Sequence, residues 1–222
     1  MKKYIKNMTQ AEYAYEIISK LILEGKIKPG EPLNEIELCK ITSTSRTPIR
    51  EAIGRLAYEK LVKVIPRRGA FVTKFTLEDI RQIYQLREAI EGMAARLACT
   101  HVEIKKLEDL EQKCTTLLNC PDVESCLKEH KEINRELHSY ILNKSGNKMF
   151  ADIVNQFQTI LQMEMGITAK LNTSVANSCV EHNRIIEALK DRNPEKAEYE
   201  MRKHISEVYE WIVQAFKKGY YI

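Results

Sequence analysis

Three histidines stand far apart in this 222-residue chain, each inside a helix-like run: Asn134-Arg135-Glu136-Leu137-His138, Glu181-His182-Asn183 and Arg202-Lys203-His204. Imidazole nitrogens suit Zn, Ni, Cu and Fe, whereas Ca and Mg prefer oxygen. Facing helices of a bundle can bring such side chains onto one internal metal. Asn134 and His138 lie at i and i+4, so they share a helix face. Spacing alone leaves two readings open: a shared metal, or three separate histidines that are partly buried or on the surface. His130, two turns before His138, reads as a surface residue, and His101, at a helix junction, as structural or exposed. Arg87 interrupts the apolar stretch Tyr84-Gln85-Leu86-Arg87-Glu88-Ala89-Ile90-Glu91, where the plain reading is a solvated or paired helix residue.

A second set of reactive side chains is Ser45-Arg46-Thr47-Pro48-Ile49-Arg50-Glu51-Ala52, followed by Pro66-Arg67-Arg68-Gly69. Proline is tolerated only in the first turn of a helix, so Pro48 places a helix start at Ser45. Ser45 or Thr47 can cap that turn. Arg46, Thr47 and Arg50 then gather at the positive end of the helix, which suits contacts to phosphates and base edges. Arg67, Arg68 and Gly69 fall between two short β-branched runs and form the tip of a hairpin. Together they read as a DNA-recognition helix and a basic wing.

The elements around them fit that reading. Thr9 with Glu12 is a capping box opening a helix with apolar residues at Tyr13, Ile17, Ile18, Leu21 and Ile22, and Gly25 stops it. Asn34 with Glu37 opens a second short helix, and the third runs from about Ser45 to Lys60. Leu61–Ile65 and Ala70–Thr73 are the hairpin strands. Three helices and a hairpin in this span make a winged helix-turn-helix over residues 1–75. From Thr76-Leu77-Glu78-Asp79 onward the pattern is helical, with an apolar stripe through Ile80, Ile83, Tyr84, Leu86, Ile90, Met93, Ala94 and Leu97. Helical periods continue at about 102–119, 122–144, 147–170, 174–191 and 194–217, so residues 76–222 form an all-α six-helix bundle. The fold class is therefore mainly α. The Lys74-Phe75-Thr76 junction is too short for a loose tether.

Charge is distributed unevenly. Residues 1–75 carry 15 Lys/Arg against 8 Asp/Glu, a net of +7, and the remainder carries 20 against 23, a net of −3. The basic excess sits on the winged module, as double-stranded DNA requires. Cys39, Cys99, Cys114, Cys120, Cys126 and Cys179 show no CxxC spacing. With no signal peptide and no apolar run near the roughly 20 residues of a transmembrane helix, the chain reads as cytoplasmic, away from membranes, with reduced thiols.

Pro29-Gly30, Leu33, the run Ser45 to Ala52, Arg55-Leu56 and Arg68-Gly69-Ala70-Phe71-Val72 resemble the N-terminal signature of the GntR family of bacterial transcription regulators. The resemblance implies that Arg46, Thr47 and Arg50 read the major groove and that the wing tip at Arg68-Gly69 reaches the minor groove. One departure is Ser43-Thr44, where the family often has Gly-Val; small hydroxyl residues still suit the turn. Residues 76–222 are similar to the shorter, six-helix FCD domain that follows this module in one large branch, FadR- and VanR-like. That resemblance implies a divalent transition metal, Zn or Ni, on His138, His182 and His204, with Asn134 where the family usually has Asp. A neutral amide is a poorer ligand, so the metal is expected to bind more weakly or be differently tuned. The resemblance also implies that Arg87 grips the carboxylate of a small organic-acid effector, since a guanidinium fork matches a carboxylate bidentately.

The resulting expectation is a non-enzymatic homodimeric regulator, a repressor, that binds a pseudo-palindromic operator and answers to a small carboxylate. Two alternatives remain at this level: a metal-free, non-inducible DNA-binding protein, and a three-histidine metal-dependent hydrolase.

Overall fold

The computed structural model describes residues 8–118, 123–157, 160–161 and 174–219. They fall into two compact units, one built on residues 8–75 and the other on 76–155 and 174–219.

In the first unit α1 (Gln10–Leu23), α2 (Glu35–Thr42) and α3 (Arg46–Tyr58) precede β1 (Val62–Ile65) and β2 (Gly69–Val72). The Thr9–Glu12 capping box forms, and the Asn34 side-chain oxygen Oδ1 accepts from the Ile36 and Glu37 amides. Ala14, Ile18 and Ile22 of α1 pack on Ile49, Ala52 and Leu56 of α3, closed by Leu38, Leu61, Val62 and Val72. The strands pair antiparallel from Val62↔Val72 to Ile65↔Gly69. The α1–α2 connection is hydrogen-bonded to this hairpin, with Leu33 N donating to Ala70 O and Val72 N to Glu31 O. The wing is thus held from one side by backbone rather than by side chains alone. Ser43 closes α2 in the left-handed region at φ 54°, the conformation that explains the family's glycine there.

The second unit contains α4 (Leu77–Ala98), α5 (Ile104–Leu118), α6 (Val123–Lys144), α7 (Lys148–Asn155), α8 (Ser174–Lys190) and α9 (Pro194–Lys217). Thr76 opens α4 with a capping box to Asp79, and Asn193 caps α9 with Pro194 in its first turn. α4 packs along α9, α8 lies against both α5 and α9, and α6 closes on α4. At Gly92 a Cβ would lie 2.7 Å from the Arg202 side chain, so any larger residue there would have to shift that arginine. Arg192, on the turn before α9, donates to the carbonyls of Cys99 and Val102 and so satisfies the C-terminal end of α4.

Three expectations need correction. The single helix over 147–170 ends at Asn155 and is followed by a turn at Gln156-Phe157; apart from 160–161, the rest of that range lies outside the described residues, as do the breaks at 119–121 and 171–173. The α4 stripe is also not one face. Ile80, Ile83, Tyr84 and Ala94 are buried, while Leu86, Met93 and Leu97 are exposed. The buried face is completed by Arg87 and Glu91, so polarity does not mark the outside of this helix. The thiols differ too: Cys39, Cys99, Cys114 and Cys179 are free, but Cys126 is disulfide-bonded.

Candidate DNA interface and metal centre

At the start of α3, Pro48 and Ile49 are buried and fix the helix to its unit, while Ser45, Arg46, Thr47 and Arg50 are exposed together. Ser45 occupies the N-cap position but accepts no side-chain hydrogen bond, so the capping expected of its hydroxyl is not made. Arg67, Arg68 and Gly69 project as an exposed tip, with Arg67 at φ 61° and Gly69 at φ 101° forming the tight turn. Arg55, by contrast, lies 3.7 Å over the Tyr15 ring and pairs with Glu59, a packing role inside the unit.

Arg50 is already engaged. Its Nε donates to both carboxylate oxygens of Glu35, at 3.0 and 3.1 Å, across the α2–α3 corner. Were Arg50 to contact DNA, a phosphate or base edge would have to displace this exposed pair. Glu35→Gln is therefore expected to strengthen binding to a nonspecific duplex at low salt by roughly two- to fivefold, the scale of an exposed ion pair. Fluorescence anisotropy checks it; unchanged or weaker binding would show that Arg50 does not face DNA.

In the second unit α6, α8 and α9 bring His138, His182 and His204 together, at 7, 0 and 2 % exposure. One nitrogen from each lies within 4.8 Å of the others. Two of the rings are oriented by buried carboxylates that the sequence reading did not identify. Glu91 on α4 accepts from His138 Nδ1 at 2.5 Å, and Glu181 on α8 accepts from His204 Nδ1 at 2.7 Å. An ionised carboxylate only accepts, so Nδ1 carries the proton and Nε2 keeps its lone pair. This is the arrangement by which outer carboxylates hold metal-ligating imidazoles. His138 Nε2 and both nitrogens of His182 are buried and have no hydrogen-bond partner. Three imidazoles with lone pairs aimed into one buried space fit a borderline transition-metal ion.

The electrostatics agree. Burial, then the neighbouring histidines, push His182 and His204 well below the ordinary imidazole range, which keeps both neutral. Burial alone would raise the Glu91 carboxyl, but Arg87 and then His138 outweigh it and hold it down at about 2. The pH consequence has a definite sign. Unfolded histidines take up protons below about 6.5, while the folded rings do not. The folded state thus binds fewer protons, and its stability is full above that pH and is lost as pH falls below it. Metal-free protein is expected to unfold at distinctly lower temperature at pH 5.5 than at pH 7.5; equal melting temperatures would refute the burial of neutral imidazoles.

The remaining residues sort as follows. Asn134 is half-buried one turn before His138, on the same face of α6. His130 is not the surface residue expected: its ring stacks on His182 at 6.0 Å, and its Nε2 meets the buried Ser178 hydroxyl at 2.9 Å. Burial, then the cost of a further positive charge beside His204 and His138, lowers it to about 4. His101 is exposed. Glu136 turns away to Lys106 and Lys113. Arg87 is 6 % exposed, donates from Nε to Glu91 at 2.6 Å, and stands 4.9 Å over the Tyr84 ring. The paired-residue reading of Arg87 therefore holds in this structure, with Glu91 as partner. A signal for Glu91 existed: a buried arginine on a helix calls for an acid at i+4.

The model of the bacterial regulatory proteins of the gntR family matches residues 10–72, and the FCD domain model matches residues 82–207. The chain belongs to the GntR family. Among GntR relatives, it is 26 % identical over 205 residues to the uncharacterized HTH-type transcriptional regulator YdhC of Bacillus subtilis strain 168, covering 92 % of each chain. It is 25 % identical over 200 residues to the HTH-type transcriptional repressor RspR of Escherichia coli K12, covering 90 % of this chain and 87 % of that one. The solved structure of E. coli McbR/YncC shares the fold, with a TM-score of 0.74 at 18 % identity over 94 % of this chain and 99 % of that one. The chain is thus a GntR-type transcription regulator with a winged helix-turn-helix and a helical FCD domain. Among the described residues no helix is long and apolar enough to cross a membrane.

Proposed function

We propose that this GntR protein is a cytoplasmic, metal-dependent transcriptional repressor, released or retuned by a small carboxylate metabolite. The observation that carries the metal part is the convergence of three buried imidazoles with unpartnered nitrogens, two of them oriented by buried carboxylates. His138, His182 and His204 hold the ion, Zn or Ni by donor type, with Asn134 beside them as a neutral fourth group. A bound ion of this kind supplies open positions for a carboxylate oxygen. Arg87, already paired with Glu91, is the buried cation we assign to the rest of that carboxylate. Glu91 and Glu181 are committed to histidine N–H groups, which leaves them poorly placed as general bases for hydrolysis.

Ser45, Arg46, Thr47 and Arg50 read the major groove, and Arg67, Arg68 and Gly69 reach the minor groove. A second copy is supported by the exposed apolar stripe Leu86, Met93 and Leu97 on α4, which suits a dimer reading a pseudo-palindromic operator. Only four residues separate β2 from α4, so a change in the helical domain reaches the DNA-binding module through a short connection. Footprinting of metal-loaded protein on genomic fragments tests the reading. A protected site with two half-sites about one helical turn apart is expected, lost or altered when organic acids are added. Binding with no protected site, or a footprint no organic acid changes, would count against it.

A further inference from the structure

Arg87, Glu91 and His138 form one buried hydrogen-bonded chain across α4 and α6. Glu91, 1 % exposed, accepts from Arg87 Nε at Oε1 (2.6 Å) and from His138 Nδ1 at Oε2 (2.5 Å). We infer that Arg87 sets the metal affinity of the three-histidine centre through Glu91, so that neutralising Arg87, by substitution or by an anionic ligand, tightens metal binding. This rests on the metal site proposed above and adds a coupling to it.

One carboxylate serves two donors. A stronger hydrogen bond to Nδ1 makes Nε2 of the same ring a better metal ligand. The share of Glu91's charge held by the guanidinium is withheld from His138. In a low-dielectric interior the repulsion between a guanidinium and an incoming dication is large. Arg87 therefore opposes the metal at His138, through the carboxylate that the two share. Asn134 brings no charge to offset this, so an anion that pairs with Arg87 relieves it and leaves Glu91 to His138. By linkage, whatever factor the anion adds to metal affinity, the metal adds to the anion's. Metal and effector are thereby coupled through Glu91, in addition to any contact between them.

The sign separates this from a structural role. Loss of a merely structural ion pair loosens the centre and weakens metal binding; the inference requires the opposite. The experiment titrates Zn2+ against a chelating competitor, with no effector present, into the full chain and its Arg87→Gln, Arg87→Lys and Glu91→Gln variants. Arg87→Gln is expected to bind Zn2+ about fivefold more tightly, the low end of usual coupling. Arg87→Lys, which keeps the charge, should stay within about twofold, and Glu91→Gln should weaken binding by about 10- to 100-fold. In the Zn-loaded protein, the His138 Nδ1–H resonance should move downfield in Arg87→Gln and upfield in Glu91→Gln. Equal or weaker Zn2+ binding by Arg87→Gln, with that resonance unmoved, overturns the inference while the metal site stands. Wild type taking no Zn2+ overturns the metal site and the inference with it. Should Arg87→Gln not fold, Glu91→Asp decides: its shorter arm keeps the charge but cannot reach both partners, and unchanged Zn2+ affinity there overturns the inference.

Discussion

Replacing His182 with leucine is expected to abolish metal-induced stabilisation while leaving the metal-free protein at least as stable as wild type. His182 is fully buried, and both of its ring nitrogens lack hydrogen-bond partners. Without metal each such atom costs about 1–3 kcal/mol of lost hydration. Leucine has similar volume and no polar atoms, so it removes that cost without opening a cavity. With metal the balance reverses. Ligand at a thousand times its Kd stabilises the folded state by about 4 kcal/mol, and loss of one of three imidazoles lowers affinity by more than the roughly 10- to 100-fold seen for outer partners. Melting curves of the variant with and without Zn2+ should coincide, while those of wild type separate. A variant that still responds to Zn2+, or whose metal-free form melts far below wild type, would mean His182 is an ordinary core residue.

The second large effect lies in the winged module. Arg46 is the first residue of α3, exposed beside Ser45 and Thr47, and buried Pro48 and Ile49 hold that end of the helix in place. Arg46→Ala is expected to lower specific operator affinity by roughly 10- to 100-fold if it forks a guanine, the usual 1–3 kcal/mol per bidentate base contact. If it meets a phosphate instead, the loss is similar on all sequences, and the log K against log salt slope flattens by about 0.9. Arg50→Ala should cost less, because wild-type Arg50 must first leave Glu35. Anisotropy titrations at several salt concentrations distinguish these outcomes; unchanged affinity and slope would remove Arg46 from the interface. Neither substitution reaches a core, so stability should be nearly unaffected.

The parts of the fold legible in the sequence were those with local causes. The Thr9 and Thr76 capping boxes, Asn34, Pro48 and Asn193-Pro194 each act within one turn, and helix starts follow from them. The hairpin was readable because Arg67-Arg68-Gly69 lies between two β-branched runs. The histidine cluster was only half legible. Periodicity places each ring on the inner face of its own helix, but it cannot say that three faces meet. Glu91 is hidden in the sequence because an acid four residues after an arginine reads as a surface pair, and its burial depends on α6 and α9 packing over it. Glu181 reads as the neighbour of His182, whereas it serves His204 on the next helix. His130 reads as a surface residue for the same reason: its stacking partner comes from α8.

The most direct test of the central claim is metal content per subunit of protein purified without chelator, measured beside His138→Ala. Close to one transition-metal ion per wild-type subunit is expected, with a large loss in the variant, since His138 joins the cluster to Glu91. Equal metal in both, or none in wild type even after incubation with Zn2+ and Ni2+, would contradict it.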